Sequence, residues 1–134
     1  TKARNEFTYR NMCMDSSKLI PCHVWITGRE LSRKNAPPHV KALINRNKDW
    51  YFHLFDDEKI KEFMKRVFHG TAIAWAYEHI SHPLGASRAD IWRLAVLWTH
   101  GGVYIDLDSD IRTPLSQVIH PNDSMILSTE GNPL

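Results

Sequence analysis

The sequence has few of the residues that build a crosslinked or membrane-embedded fold. Among its 134 residues only Cys13 and Cys22 are cysteines, too few for a disulfide scaffold or a cysteine-rich zinc site. They could form one bridge or remain core thiols, so the redox compartment stays open. No apolar run approaches the roughly 18–20 residues of a spanning helix. We expect a membrane anchor only in a longer parent protein, and none here.

The sequence also lacks an excess of charge. Its 17 basic and 15 acidic residues give a net charge of +2, and they are dispersed, so neither nucleic acid nor an anionic membrane is an expected partner. With 43% apolar and 24% charged residues, the composition predicts a folded globular protein. The length fits one domain or part of a larger one, and the abrupt end at Leu134 favours the second.

Apolar and turn-forming residues divide the chain into a lead-in and one domain. Residues 1–18 are polar and irregular, and we expect the domain over 19–134, truncated at its C-terminus. Periodicity predicts, in order, a strand over 19–27, a helix from Pro37, a strand over 50–55, a helix begun by Asp56 or Asp57 and ended by Gly70, and a helix over 72–80. Strands alternating with helices favour an α/β domain with a mostly parallel sheet.

A further long helix is predicted after a breaker at residues 82–85. Ser87 and Asp90 resemble a capping box at its start. Beyond it the chain predicts a helical turn over 115–119 and a last strand over 124–128. The apolar face of the long helix is expected at helically spaced positions, namely Ile91, Leu94, Ala95 and Trp98.

The segment VYIDLD, residues 103–108, follows the pair Gly101-Gly102 and carries the candidate chemistry. Its alternation predicts a strand with Tyr104, Asp106 and Asp108 on one side. Carboxylates at the end of an apolar strand must be solvated, paired or bound to a cation, because burying them bare is costly. Ligands bind at the carboxyl edge of parallel sheets, where two acids suit a divalent cation that carries phosphate oxygens.

The spacing gives the two carboxylates different expected roles. Alternate strand residues lie about 6.5–7 Å apart, too far for both to hold one Mg²⁺ or Mn²⁺ ion unless the chain turns there. We therefore expect Asp108 to contact the metal and Asp106 to bind a hydroxyl or a metal-bound water. The alternative is that both acids only end a strand and pair with Arg93 or Arg112.

Asp90 and Arg93 lie three residues apart in the predicted helix and project from neighbouring positions. They could form a local salt bridge, which at a surface contributes little. Near the sheet edge, the carboxylate and the guanidinium could instead bind sugar hydroxyls and a diphosphate together.

The stretch ASRADIWRLAVLWTHGGVYIDLD resembles the sugar-binding region with a DXD motif of family 32 glycosyltransferases, which include Golgi mannosyltransferases and bacterial capsule enzymes. IPCHVWITG and WYFHLFDDE resemble the first two strands of that family, and the resemblance covers roughly residues 19–115. Its pattern is an acid, an arginine three residues later, a glycine pair, an aromatic residue and D-x-D, here Asp90, Arg93, Gly101, Gly102, Tyr104, Asp106 and Asp108.

The resemblance implies the N-terminal part of a GT-A type, Rossmann-like fold that binds a nucleoside diphosphate sugar. The implied reaction is the metal-dependent transfer of a hexose, from GDP-mannose or a UDP-hexose, to a glycan or lipid-linked acceptor with retention of configuration. The implied location is the Golgi lumen in a eukaryote or the cytoplasm of a bacterium.

The resemblance also implies roles for individual residues. Asp108 would coordinate Mn²⁺ or Mg²⁺, and it would form the catalytic group with Arg93 and Asp106. The base of the donor would stack on Trp25, for which a core position is the alternative. The donor-binding residues would be Trp25, Asp90, Arg93, Tyr104 and Asp106.

Two departures and two competing functions accompany the resemblance. The C-terminal portion, where the family completes its acceptor site and supplies further ligands to metal and diphosphate, is expected to be missing, so poor donor binding or no activity is expected of this fragment alone. Ala89 stands where the family usually has serine, which removes one hydrogen bond. VYIDLDSD superficially resembles the motif of haloacid dehalogenase phosphatases, but these also need a downstream lysine and a second acidic pair. After Arg112 the chain offers no lysine and only Asp123 and Glu130 as acids. A noncatalytic sugar-nucleotide-binding fragment is the other alternative.

Three smaller expectations complete the set. Asp110 is expected to pair with Arg112. Truncation predicts an apolar patch larger than about 400 Å² beside Asp108, bordered by Trp92 and Trp98. The histidines show no metal-ligand spacing, and core or capping positions are expected for His23, His53 and His100.

Overall fold

The strand that can be buried on both faces lies at the centre of the sheet. The computed structural model describes residues 18–80 and 85–128, and in it β1 (His23–Thr27) lies between β2 (Tyr51–Phe55) and β3 (Val103–Tyr104). Both pairings are parallel. The first four residues of β1 are at most 1% exposed, as expected for a strand covered on two faces. The α/β class with a parallel sheet is confirmed.

Five helices flank these strands in the described part of the chain. Pro38 opens the first helix, and the Asp56 carboxylate accepts from the Lys59 amide (2.8 Å) to cap the second. Both starts agree with the sequence, because proline suits the first turn and aspartate suits the N-cap. The helices are α1 (Pro38–Arg46), α2 (Asp57–Val67), α3 (Ala72–His79), α4 (Gly85–His100) and α5 (Leu115–Val118).

The helices cover opposite faces of the sheet and create two cores. Val24 and Ile26 of β1 contact the first core, which α1 and α5 complete. Trp25 points the other way and contacts the second core, formed with α2, α3 and α4. Period-two geometry explains why neighbouring residues of β1 enter different cores. The result is a three-layer arrangement that fits the expected Rossmann-like, GT-A type architecture.

Two predicted strands differ from the structure. β1 begins at His23 instead of Leu19, since Pro21 has no amide hydrogen to give to a ladder. Residues 124–128 form no strand, so that prediction is wrong. Met125 and Leu127 are exposed there. Apolar residues alone do not make a strand when no neighbouring strand lies alongside, and the described sheet ends at β2 and β3.

The long helix α4 differs from prediction in its start and in its buried face. It begins at Gly85, so Ser87 lies inside the helix and is not its N-cap; the other breaker residues, 82–84, lie outside the described residues. Trp92 and Val96 are fully buried, whereas Leu94 is 70% and Trp98 87% exposed. The predicted face was therefore wrong at Leu94 and Trp98. Apolar residues occur on more than one side of this helix, and spacing alone cannot choose between the sides.

The glycine pair joins α4 to β3 for a clear steric reason. Gly101 and Gly102 have φ values of 66° and 95°, a region that residues with a Cβ rarely adopt. A Cβ on Gly102 would also collide with the backbone carbonyl of His23. The chain can therefore pass beside β1 and enter β3 only with glycine at this position.

The remaining expectations concern the termini and crosslinks. The predicted lead-in over 1–18 lies outside the described residues except for Lys18, and Cys13 lies outside them too. Cys22 is disulfide-bonded, which favours the bridge over a free thiol at this cysteine. Across the described ranges, every helix is too short or too polar to cross a membrane.

Candidate functional site

The strand that carries the acidic motif is shorter than predicted. β3 pairs only Val103 and Tyr104 with β1, although the Ile105 amide still donates to the Trp25 carbonyl (3.0 Å). A turn follows, closed by a hydrogen bond from the Ser109 amide to the Asp106 carbonyl (3.0 Å). The prediction of a strand over 103–108 is therefore wrong beyond Tyr104, because the chain turns instead of continuing along β1.

The turn changes the geometry expected for the two motif aspartates. Asp106 and Asp108 occupy its first and third positions, so the spacing of an extended strand does not apply to them. Both side chains are exposed. Leu107 between them packs against the first core, and His39 Nε2 donates to its carbonyl (2.6 Å). The backbone of the turn is thus anchored while both carboxylates stay accessible.

Four of the predicted site residues meet beside this turn. Arg93 Nη2 lies 2.7 Å from Asp90 Oδ1, and Arg93 Nη1 lies 3.9 Å from Asp106 Oδ1. The Arg93 guanidinium carbon also lies 5.1 Å from the centre of the Tyr104 ring, within cation–π range. The helix α4 and the end of β3 therefore present one guanidinium between two carboxylates and an aromatic face.

Burial and the nearby charge of Asp106 keep the Tyr104 hydroxyl protonated. Burial is the largest cause that raises the pKa of Tyr104 well above its ordinary value, followed by the negative charge of Asp106 and a hydrogen bond to it; Arg93 acts in the opposite direction. The protonated hydroxyl of Tyr104 can therefore donate to the Asp106 carboxylate beside it. Asp106 consequently has a tyrosine and, at the edge of ion-pair range, Arg93 as partners.

Asp108 differs from Asp106 in having no such partners. Among the described residues, no ion pair or hydrogen bond involves its side chain, and Arg112 pairs with neither motif aspartate. The alternative in which the acids merely pair with arginines thus fits Asp106 better than Asp108. The described residues include no group of three or more metal-ligand side chains placed to hold an ion, so any cation here would depend on ligand oxygens and water.

Trp25 occupies a core position. Its side chain is 1% exposed, its indole Nε1 donates to the Gly101 carbonyl (2.8 Å), and its ring stacks on those of His53 and His100 at 4.2 and 5.6 Å. The geometry favours the core alternative over stacking on a nucleotide base, because the ring would have to leave this packing to reach a base. Trp25 instead fixes the turn before β3.

The three histidines lie where a core role was expected. His23 is buried, and its Nδ1 lies 2.9 Å from His53 Nε2. Burial, then the charges of His23, His100 and Arg33, lowers the pKa of His53 to about 4. His53 is therefore neutral near pH 7, and His100 ends α4 against the Trp25 ring.

Two smaller expectations need correction. Asp110 lies 3.9 Å from Arg46 Nη1 of α1, so its ion-pair partner is Arg46 and not Arg112; the fold brings α1 to this loop. Trp92 is fully buried and cannot border an exposed patch. Leu94 and Trp98 do form exposed apolar surface on α4, in the helical turn that follows Arg93.

One polar feature had no signal in the sequence. A cavity of about 470 Å³ opens beside β2, with two cations among its lining residues. Arg33 lies in the loop after β1 and Lys59 in the first turn of α2, 26 positions apart along the chain. Tertiary packing brings them together, so neither spacing nor a motif could have pointed to them.

The fold and the site together define the class of the protein. A parallel sheet with an acidic turn and an arginine at its carboxyl edge is an α/β domain suited to phosphate-bearing ligands. The family model for the glycosyltransferase sugar-binding region containing a DXD motif matches residues 35–126. The chain belongs to this family of glycosyltransferases, which confirms the predicted resemblance and leaves the phosphatase alternative without support.

Several curated proteins are similar in sequence. Inositol phosphoceramide mannosyltransferase 3 of Schizosaccharomyces pombe is 31% identical over 81 residues, which cover 60% of this chain and 21% of that protein. Inositol phosphoceramide mannosyltransferase 1 of the same yeast is 32% identical over 88 residues, covering 60% and 24%. An uncharacterized glycosyltransferase of Acanthamoeba polyphaga mimivirus is 26% identical over 96 residues, covering 72% and 37%. The matched parts thus span between 21% and 37% of these relatives. No solved structure matches the chain.

Proposed function

We propose that this chain forms the donor site of a hexosyltransferase and binds a nucleoside diphosphate sugar at the carboxyl end of β3. The observation that carries the proposal is the convergence of Asp90, Arg93, Tyr104 and Asp106 on one side of an exposed acidic turn. A guanidinium held between carboxylates can bind a diphosphate while the carboxylates accept from sugar hydroxyls. Membership of the DXD family supports the same assignment.

Different residues of this group bind different parts of the donor. Asp90 is the more exposed partner of Arg93 and accepts from hydroxyls of the donor sugar. Asp106, oriented by Tyr104, accepts from a hydroxyl of the ribose or sugar. Arg93 provides the positive charge that faces the diphosphate.

We further propose that Asp108 holds a divalent cation, Mn²⁺ or Mg²⁺. Its carboxylate is exposed at an anchored turn and has no ion-pair partner in the part of the chain that the structure describes. Oxygen is the ligand atom that these ions prefer. Such ions commonly bind through one or two carboxylates while phosphate oxygens and water complete the shell. A site with few protein ligands is therefore consistent with this chemistry, and Asp106, two residues earlier in the same turn, would orient a coordinated water.

The mechanism assigned to these residues is assistance to the departing nucleoside diphosphate. Arg93 stabilises the negative charge that develops on the diphosphate as its bond to the anomeric carbon breaks. A cation at Asp108 would add positive charge at the same group. We propose retention of configuration, as the family resemblance implies; a leaving phosphate that accepts the proton of the acceptor hydroxyl would need no side-chain base.

The relatives guide the proposed substrates. Two of them are named as mannosyltransferases that act on inositol phosphoceramide. We propose GDP-mannose as donor, with a UDP-hexose as the competing choice, and a lipid-linked acceptor, with a glycan as the competing choice. The disulfide at Cys22 suits an oxidising compartment, which supports the Golgi lumen over a bacterial cytoplasm.

A donor-hydrolysis assay tests the proposal. The protein is incubated with GDP-mannose, UDP-glucose or UDP-galactose in the presence of Mn²⁺, Mg²⁺ or EDTA, and the released sugar and its anomeric configuration are followed by NMR. We expect metal-dependent release from one donor, with GDP-mannose preferred. Arg93→Gln should abolish release, whereas Arg66→Gln, which removes an exposed charge from α2, should not.

Two results would contradict this proposal in different ways. Binding of a sugar nucleotide without any release would favour the noncatalytic alternative. Absence of both binding and release, in protein shown to be folded by circular dichroism, would contradict the assignment of a donor site.

A further inference from the structure

The outer edge of β2 carries a cavity that is separate from the acidic turn. It measures about 470 Å³ and is lined by Arg33, His53, Leu54, Phe55 and Lys59. β1 lies between β2 and β3 in the sheet, so this cavity and the DXD turn belong to different sides of the central strand. None of the five lining residues is acidic.

The backbone of β2 sets the position of the two cations. Tyr51 donates to Cys22, and the Phe55 carbonyl accepts from Gly28, so these groups face the β1 side. The carbonyls of the intervening residues Phe52 and Leu54 point to the outer edge, because alternate groups of a strand face opposite sides.

Each outward carbonyl holds one cation. Arg33 Nη2 donates to the Phe52 carbonyl (2.9 Å), and Lys59 Nζ donates to the Leu54 carbonyl (3.2 Å). Carbonyls two residues apart on one edge are separated by about 6.5–7 Å. A guanidinium has five N–H donors and an ammonium has three, so both cations keep donors for a further acceptor. The strand thus holds two positive groups beside the same cavity.

Across residues 18–80 and 85–128, neither of these cations forms an ion pair with a carboxylate. The Asp56 carboxylate accepts from the Lys59 amide and so caps α2 instead of lining the cavity. His53 is neutral near pH 7, since its pKa is lowered to about 4, so it adds no charge to the cavity. Leu54 and Phe55 supply apolar wall.

We propose that this cavity is a second anion site, which binds a phosphate group between Arg33 and Lys59 independently of a metal ion. Charged donors on both sides of a phosphate make strong, short hydrogen bonds. The phosphate belongs to a small molecule that presents a phosphomonoester, a diphosphate or a phosphodiester. The proposal does not depend on the proposed transferase function, because it uses none of the residues of the acidic turn.

The competing explanation is purely structural: cations at a sheet edge also protect it from pairing with other strands. A titration with inorganic phosphate in the presence of EDTA, followed by amide NMR and calorimetry, separates the two. We expect shifts centred on residues 52–55 and affinity reduced roughly tenfold or more in Arg33→Gln and in Lys59→Gln. Arg29→Gln and Lys61→Gln, which remove exposed charges from the same loop and helix, should bind like the original protein.

Two further titrations identify the class of molecule that carries the phosphate. GDP, a diphosphate, and glycerophosphoinositol, a soluble phosphodiester, are titrated in the same way. The ligand that binds more tightly at residues 52–55 shows which class of phosphate the cavity prefers. Asp108→Asn should leave phosphate binding unchanged, so loss of the DXD site and loss of this site are distinguishable. If Arg33→Gln and Lys59→Gln fail to fold, Arg33→Lys and Lys59→Arg keep the charge, and the shift map of the original protein decides. Absence of phosphate binding, equal affinity in all four glutamine variants, or shifts centred on 106–108 would overturn the proposal.

Discussion

Two regions of this protein present charged side chains, and they are built in opposite ways. At the junction of α4 and β3, Asp90, Arg93, Tyr104 and Asp106 come from 17 consecutive residues, and local geometry brings them together. At the edge of β2, Arg33 comes from the loop after β1 and Lys59 from the helix α2. The first region can be recognised from spacing, whereas the second exists only after the chain has folded. Spacing reveals a site when one helix and one strand are enough to form it.

The largest expected change in the free energy of unfolding concerns α4, where helical spacing predicted the wrong buried face. Trp92 is fully buried, and Trp98 is 87% exposed. Trp92→Ala should lower the free energy of unfolding by about 3–5 kcal/mol, because it leaves a large cavity in the second core. Trp98→Ala should change it by less than about 0.5 kcal/mol. Urea unfolding followed by circular dichroism measures both, and equal losses would show that the buried face has been misassigned.

The glycine pair gives the next largest expected effect. Gly102→Ala should destabilise the protein by on the order of 3 kcal/mol, since its positive φ and the collision with the His23 carbonyl act together. Gly70→Ala is the matched control, because Gly70 also has a positive φ but nothing lies within 4 Å of a Cβ there. Its cost should be about 1–2 kcal/mol. Thermal and urea unfolding that ranked the two variants equally would contradict the packing at the α4–β3 junction.

Sequence reasoning predicted the fold class, most elements and four residues that meet beside the acidic turn, but not the lengths of all strands. Hydrophobic periodicity located β2 and four of the helices because a capping or turn-forming residue, such as Asp56 or Gly70, marks the boundary. It extended β3 to Asp108 because VYIDLD keeps alternating after the chain has turned away from β1. It also gave Asp110 the neighbouring Arg112 as partner, although α1 places Arg46 there. Such errors arise where tertiary neighbours decide the outcome.

The pH dependence of the free energy of unfolding tests the β2 side of the sheet, where His53 lies. His53 has a pKa of about 4 in the folded protein, with burial as the largest cause, followed by the charges of His23, His100 and Arg33. Its ordinary value is about 6.5, so the unfolded chain takes up the proton first as pH falls. The contribution of neutral His53 to the free energy of unfolding is fully present above about pH 6.5. It is lost as the pH falls towards 4, at up to about 1.4 kcal/mol per pH unit.

The control for this titration is an exposed histidine. His53→Gln should flatten the dependence of unfolding free energy on pH between about 6.5 and 4. His120→Gln makes the same change at an exposed position and is the matched control. Identical slopes in the two variants would show that His53 is not the buried, neutral group described above.

The smallest effect on the free energy of unfolding is expected at the ion pair between Arg93 and Asp90. Arg93 and Asp90 are both solvent-accessible, and exposed pairs contribute at most about 1 kcal/mol. Arg93→Gln should therefore unfold almost like the original protein while losing sugar-nucleotide binding. A large loss of stability in urea unfolding would mean that Arg93 mainly holds α4 against β3, and the donor role would then need other residues.

Calorimetric titration of GDP and UDP, with and without Mn²⁺, tests the central claim most directly. Asp108→Asn keeps the shape of the side chain but removes its charge, and Asp110→Asn makes the same change two residues later at a carboxylate paired with Arg46. We expect Mn²⁺ to strengthen binding of one nucleotide to the original protein and to Asp110→Asn, and to have no effect on Asp108→Asn. Equal Mn²⁺-dependent affinity in all three proteins, each shown to be folded, would contradict the assignment of Asp108 to the metal and the donor site built around it.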